Sequence, residues 1–115
     1  NSVQSRSSIE GILVHESIIN KFTNLLSAKV NETFILDDPM KDETNYGVVN
    51  DEEMILNFDD IVADAVSQGG AVTIGGYENS DDIGSGRFYE PTIIANCHSG
   101  MKLQMKQTFG PLLGI

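Results

Sequence analysis

The side chains able to do chemistry in this sequence are few and scattered. Its single cysteine, Cys97, is followed directly by His98, and the other histidine is His15. A thiolate beside an imidazole could attack a carbonyl carbon or hold a metal. Adjacent residues point in different directions, however, and no second pair of ligands stands at metal spacing, so no metal site is expected. Cys97 has only His98 to lower its pKa and reads as an inert thiol. His15 closes an apolar run and reads as a structural or surface histidine. Ser2, Ser5, Ser7 and Ser8 crowd around Arg6 in the opening N-S-V-Q-S-R-S-S, but they do not form a G-x-S-x-G nucleophile elbow. The carboxylates Asp37-Asp38, Asp51-Glu52-Glu53, Asp59-Asp60 and Asp81-Asp82 lack the alternating spacing of a calcium loop and read as solvated surface. Gly75-Gly76 is followed by no helix and Gly84-Ser85-Gly86 precedes a strand, so both read as turns rather than phosphate cradles. The opening itself stays open to three readings: a linker, a phosphate-binding loop, or a catalytic loop without its nucleophile.

The elements that must position these groups follow from periodicity. I-L-V-H, residues 12–15, has the length and character of a short strand. Ile18, Ile19, Phe22, Leu25, Leu26 and Val30 then recur at helical spacing, with Lys21, Asn24 and Lys29 outside the stripe. L-D-D-P-M-K-D-E-T-N-Y-G-V-V-N is dense in turn formers and reads as a loop. Asn50, with Glu53 three residues on, caps a second helix whose buried face is Met54, Phe58, Ile61, Val62 and Ala65 and which ends at Gly69 or Gly70. A-V-T-I-G-G is a strand closed by glycines, Y-E-N-S-D-D-I-G-S-G-R a polar hairpin or excursion, and F-Y-E-P-T-I-I-A-N-C a further strand segment. M-K-L-Q-M-K-Q-T-F is short and mixed, and G-P-L-L-G-I begins a last strand. This order predicts an α/β fold with a mainly parallel sheet flanked by helices.

Composition narrows the class. The chain has 115 residues, 40% of them hydrophobic, enough for one domain with a modest core. Seven basic against 17 acidic residues leave a formal charge of −10, which argues against nucleic acid or an anionic membrane as partner. No apolar run reaches the length of a membrane span. One cysteine cannot form an internal disulfide, so a reducing, cytoplasmic setting is expected. The sequon Asn31-Glu32-Thr33 would matter only in a secretory compartment. The first residue is Asn and the last stretch is F-G-P-L-L-G-I, within a strand, so the chain reads as a piece of a longer polypeptide.

Several stretches, taken in order, resemble the catalytic domain of the aldehyde dehydrogenase superfamily. I-L-V-H-E-S-I-I-N-K-F resembles the strand-to-helix unit after the family's catalytic loop. L-D-D-P-M-K-D-E-T-N-Y-G-V-V-N is similar to its G-D-P…T…G-P linker, with Asp37 for Gly and Val48 for Pro. A-V-S-Q-G-G-A-V-T-I-G-G, F-Y-E-P-T-I-I and F-G-P-L-L-G-I complete the series. The resemblance implies that residues 1–115 are a partial aldehyde dehydrogenase-like catalytic domain.

It also implies a place for the opening. The family's loop N-x-G-Q-x-C aligns with Asn1-Ser2-Val3-Gln4-Ser5-Arg6, so that Arg6 occupies the nucleophile position and Val3 stands for Gly. The family's thiolate attacks an aldehyde carbon, hydride passes to NAD(P), and a thioester is hydrolysed. A guanidinium is always protonated and only donates hydrogen bonds, so Arg6 cannot be that nucleophile. Gln107 falls where the family has a Glu on the nicotinamide ribose, and Phe109 keeps the aromatic position beside the nicotinamide. These two are the vestigial cofactor contacts that the resemblance implies, and no catalytic or metal residue is assigned. The expectation is therefore a catalytically inactive homologue, with little or no dehydrogenase activity and no cofactor, similar to the omega-crystallins, the structural proteins of cephalopod eye lenses. The alternatives are an active NAD(P)-dependent enzyme with Arg6 an artefact, or a nucleotide-binding regulatory pseudoenzyme. A homo-oligomer, dimeric or tetrameric, is implied by the same resemblance.

Overall fold

The computed structural model describes residues 8–34, 49, 52–79, 87–106 and 108–115. Its elements are α1 (Ile19–Thr33), α2 (Glu52–Ser67), β1 (Ala71–Ile74), β2 (Glu78–Asn79), β3 (Phe88–Tyr89), β4 (Thr92–Ala95), α3 (Lys102–Met105) and β5 (Leu112–Gly114). The α/β class expected from periodicity is the class found.

Helix α2 organises the core. Ile55, Phe58, Ile61, Val62 and Ala65 are buried on one face, while Met54 is only partly covered. Burying side chains of this size removes about 1.5–3 kcal/mol of apolar exposure each. Glu52 and Glu53 lie in the first turn, where the helix dipole favours negative charge. The helix stops in a glycine C-cap: Gly69 adopts φ 97°, its N–H donates to Val66 O at 3.1 Å, and the Gly70 N–H donates to Ala65 O at 2.8 Å. That left-handed backbone is open to glycine at no steric cost.

The main sheet has the order β1-β4-β5 and is mixed. β4 pairs with β1 antiparallel and with β5 in parallel, with Thr92 opposite Leu112, Ile93 opposite Leu113 and Ile94 opposite Gly114. Thr92, Ile93 and Ile94 are all buried, the pattern of a central strand covered on both faces. β1 is the exposed edge, and its register shifts between Val72 and Ile74. The polar stretch after β1 is a hairpin at its base, where β2 pairs with β3 in antiparallel register. Val49 joins this hairpin through an N–H···O bond of 2.7 Å to Arg87.

Two expectations change. I-L-V-H is not a strand: only Gly11 bridges β5, through Gly114, and Leu13 is fully exposed. M-K-L-Q-M, read from the sequence only as part of a short and mixed stretch, contains the short helix α3. In α1 the half-buried stripe is Ile19, Phe22, Leu26 and Val30 around buried Thr23, whereas Ile18 and Leu25 are exposed. The predicted linker over residues 35–48 and the cap Asn50 lie outside the described residues.

Phe58 is fully buried, and its ring meets Tyr89 edge-on with centroids 5.2 Å apart. Phe58→Ala should destabilise the full-length protein by about 3–5 kcal/mol, read as a lower denaturant midpoint with an unchanged slope.

Candidate active site around the Phe109-Gly110-Pro111 turn

The segment that leads into this turn is tied down by α2. The Lys102 N–H, at the start of α3, donates to Asp64 Oδ2 at 2.8 Å, and Gln68 Nε2 donates to Asp64 Oδ1 at 3.0 Å. Lys102 Nζ reaches Asp60 Oδ2 at 2.6 Å. The Lys102 backbone N–H is the main reason the Asp64 carboxyl titrates below its ordinary range, helped by Gln68 and by nearby positive charge. The Lys102 ammonium is held above its usual value, first by its hydrogen bond to Asp60. Met101 and Leu103 sink into the core on either side of Lys102.

Beyond α3 the chain turns sharply. Thr108 is buried, with a hydroxyl that has no hydrogen-bond partner among the described residues. Phe109 is half-buried and adopts φ 46°, a left-handed backbone that a bulky residue occupies only when its surroundings enforce it. What enforces it is the next residue. A Cβ at Gly110 would overlap the Phe58 ring, so the backbone lies directly on that ring. The Leu112 N–H then donates to Gly110 O at 2.8 Å, and Pro111 O accepts the Thr92 N–H at 2.8 Å, which fixes the turn to the start of β4. Tyr89, also against Phe58, donates its hydroxyl to Asp59 Oδ1 at 2.9 Å. Burial, then that carboxylate, pushes the phenol well above its usual range, so it stays a neutral donor.

The other side of the site arrives from the N-terminal end. Glu10 O accepts the Gly114 N–H at 3.0 Å and the Ile12 N–H donates to Gly114 O at 2.9 Å, which lays residues 10–12 beside β5. Arg6, Asn1, Val3 and Gln4 lie outside the described residues, as does Gln107; Phe109 is the one predicted contact whose geometry is described.

Cys97 does not supply a second nucleophile. Its thiol is half-buried and donates to Ile94 O at 3.2 Å, and burial pushes its pKa up. His98 braces a turn instead: Nδ1 accepts the Gly100 N–H at 3.1 Å, while Nε2 lies 3.4 Å from Gln68 O. His15 pairs locally with Ser17 at 2.9 Å. Among the described residues no three His, Cys, Asp or Glu side chains come together as a metal site. No helix among them is long and apolar enough to cross a membrane. The residues that sequence reading missed are Asp64 and Phe58. The signal for Phe58 was its place on the apolar face, but its partner Gly110 is distant in sequence; Asp64 resembled any surface carboxylate.

The model of the aldehyde dehydrogenase family matches residues 1–115. The chain belongs to that family. It is 30% identical over 115 residues to a 3-sulfolactaldehyde dehydrogenase of Priestia aryabhattai, covering 100% of this chain and 23% of the relative. It is 33% identical over 101 residues to succinate-semialdehyde dehydrogenase [NADP(+)] 1 of Schizosaccharomyces pombe, covering 88% of this chain and 20% of the relative. The crystal structure of betaine aldehyde dehydrogenase from Staphylococcus aureus in complex with NAD+ superposes with a TM-score of 0.88 at 30% identity, over 98% of this chain and 22% of that one. The chain thus spans about a quarter or less of the length of these relatives.

Two expectations are corrected by these relatives. An inactive protein without a cofactor was expected from Arg6, with Val3 and Gln107 as further departures, yet the relatives are dehydrogenases by name and the superposed enzyme holds NAD+.

The Asp64 cap gives a pH signature. Its folded pKa is depressed, so its stabilisation is complete above the ordinary value of 3.8 and is lost as pH falls through the lower folded value. Acid unfolding of full-length Asp64→Asn should lack the part of the pH dependence that the parent shows below 3.8.

Proposed function

We propose that this chain is part of the catalytic domain of an NAD(P)-dependent aldehyde dehydrogenase, and that the whole protein oxidises an aldehyde to the corresponding acid. The carrying observation is the Phe109-Gly110-Pro111 turn, kept in a left-handed conformation by the Phe58 ring. Family membership over all 115 residues supports the reading. So does the NAD+ held by the superposed enzyme.

The residues present fit a nicotinamide. Phe109 is only partly covered, which suits an aromatic side chain available to pack on a flat heterocycle. Gln107, at the ribose position, keeps an amide that can both donate to and accept from sugar hydroxyls, without the added strength of a charge. The bound cofactor would supply the hydride acceptor. The protein's part is to hold the ring at Phe109 and to keep the turn rigid through Phe58, Thr92 and Gly110.

Arg6 departs furthest from this chemistry, since a guanidinium cannot act as the nucleophile, while Val3 for Gly and Gln107 for Glu are lesser departures. Cys97 is no substitute, being half-buried and bonded to Ile94 O. On this reading the working enzyme carries cysteine at position 6. The same reading carries a homo-oligomer, as the family resemblance implies, without a metal; the acidic charge of −10 argues against a nucleic-acid or anionic-membrane partner, and the free Cys97 is in keeping with a cytoplasmic setting.

The test couples sequencing of the transcript at codon 6 with aldehyde-dependent NAD(P)H formation by the full-length protein. A Cys codon with turnover is expected; a verified Arg codon with turnover no faster than buffer would overturn the reading. In the active protein Phe109→Ala should raise the KM for NAD(P)+ about tenfold, on the scale of one lost aromatic contact.

A further inference from the structure

A glycine-lined seam joins the two segments that converge on this site. Gly11 and Gly114 face each other across the parallel pair, and neither carries a side chain to fill the space above it. The side-chain amide of Gln104, from α3, lies there. A methyl group at Gly114 would stand 2.6 Å from Gln104 Nε2, and one at Gly11 would stand 3.5 Å from Gln104 Oε1 and 3.7 Å from Nε2. Cys97 Sγ and Leu103 Cδ2 close the same space, each 3.2 Å from the Gly114 position. The Gln104 backbone is set by the N–H donated to Met101 O at 3.0 Å.

This placement has a consequence for both halves of the site. Gln104 is three residues before Gln107, on the segment leading to Phe109. Its amide meanwhile covers Gly11, on the segment that follows Arg6. Two glycines leave the seam without Cβ cover, and among the described residues two backbone hydrogen bonds, both at Gly114, tie the Glu10–Ile12 segment to β5.

We propose that Gln104 is a positioning residue: its amide fills the Gly11–Gly114 seam and holds the segment after residue 6 in register with the segment that presents Phe109. The inference builds on the dehydrogenase reading for its catalytic consequence but not for its structural one. Gln104 is exposed, so its replacement leaves the core intact. Gln104→Ala removes the amide and its volume, and Gln104→Met keeps the volume without the amide.

The experiment is hydrogen exchange by mass spectrometry on the full-length protein, followed at the peptides that contain the Ile12 and Gly114 amides. Gln104→Ala should speed exchange of both about tenfold or more, while peptides of α2 remain as protected as in the parent. Gln104→Met should recover most of the protection if filling the seam is what matters, and little of it if the amide's hydrogen bonding is. In the active enzyme, Gln104→Ala should lower kcat about tenfold with the KM for NAD(P)+ unchanged, the signature of a misplaced reacting group. Unchanged exchange at both amides overturns the proposal. Absence of turnover in the parent protein would count against the dehydrogenase reading, while the exchange result would still decide the role of Gln104.

Discussion

The described structure depends on one contact, the Phe58 ring lying against the bare backbone of Gly110. Phe58 sits mid-way along α2, fully buried, and touches two segments at once: the Tyr89 ring from β3 and the turn before β5. Any side chain at Gly110 would push that turn off the helix. The left-handed Phe109, the Pro111 carbonyl that meets Thr92, and the parallel entry of β5 beside β4 are all consequences of that approach. The strain of one φ of 46° is therefore held by packing, since an aromatic residue would not adopt it unaided.

The polar contacts serve the same geometry from the outside. Asp64 satisfies the first free N–H of α3, Asp60 pairs with the Lys102 ammonium, and Asp59 receives the Tyr89 hydroxyl. Three carboxylates of α2 thus act on two residues, Lys102 through its backbone and its ammonium and Tyr89 through its hydroxyl, while the apolar face holds the core. Exposed ion pairs such as Arg87 with Glu52 and Glu78, both 3.2 Å, add little on their own and mainly align the base of the hairpin.

Periodicity made α2, the Gly69 stop and the buried run at β4 legible, because each rests on local rules: an apolar stripe, a left-handed cap, a strand covered on both faces. The apolar run Ile12 to Val14 misled for the converse reason: strand character needs a partner backbone, and the bridge to β5 in this stretch is made by Gly11 instead. α3 was hidden because a four-residue helix is held by Asp64, 38 residues away, and not by its own propensities. The site divided in the same way. Phe109 could be named from its motif, whereas its backbone strain and the role of Phe58 depend on a contact between distant residues. The expectation of inactivity, drawn from Arg6, Val3 and Gln107, was overturned by the relatives and not by geometry, since all three lie outside the described residues.

The pairing of Gly11 with Gly114 joins residues from opposite ends of this sequence. Closing so long a loop costs entropy that only contacts already formed can offset, and that cost grows slowly but steadily with length. Contacts among α2, β4 and β5 span far shorter stretches and can form first. The Glu10–Ile12 segment thus takes both of its described hydrogen bonds to β5 from Gly114, a residue set in register by β4.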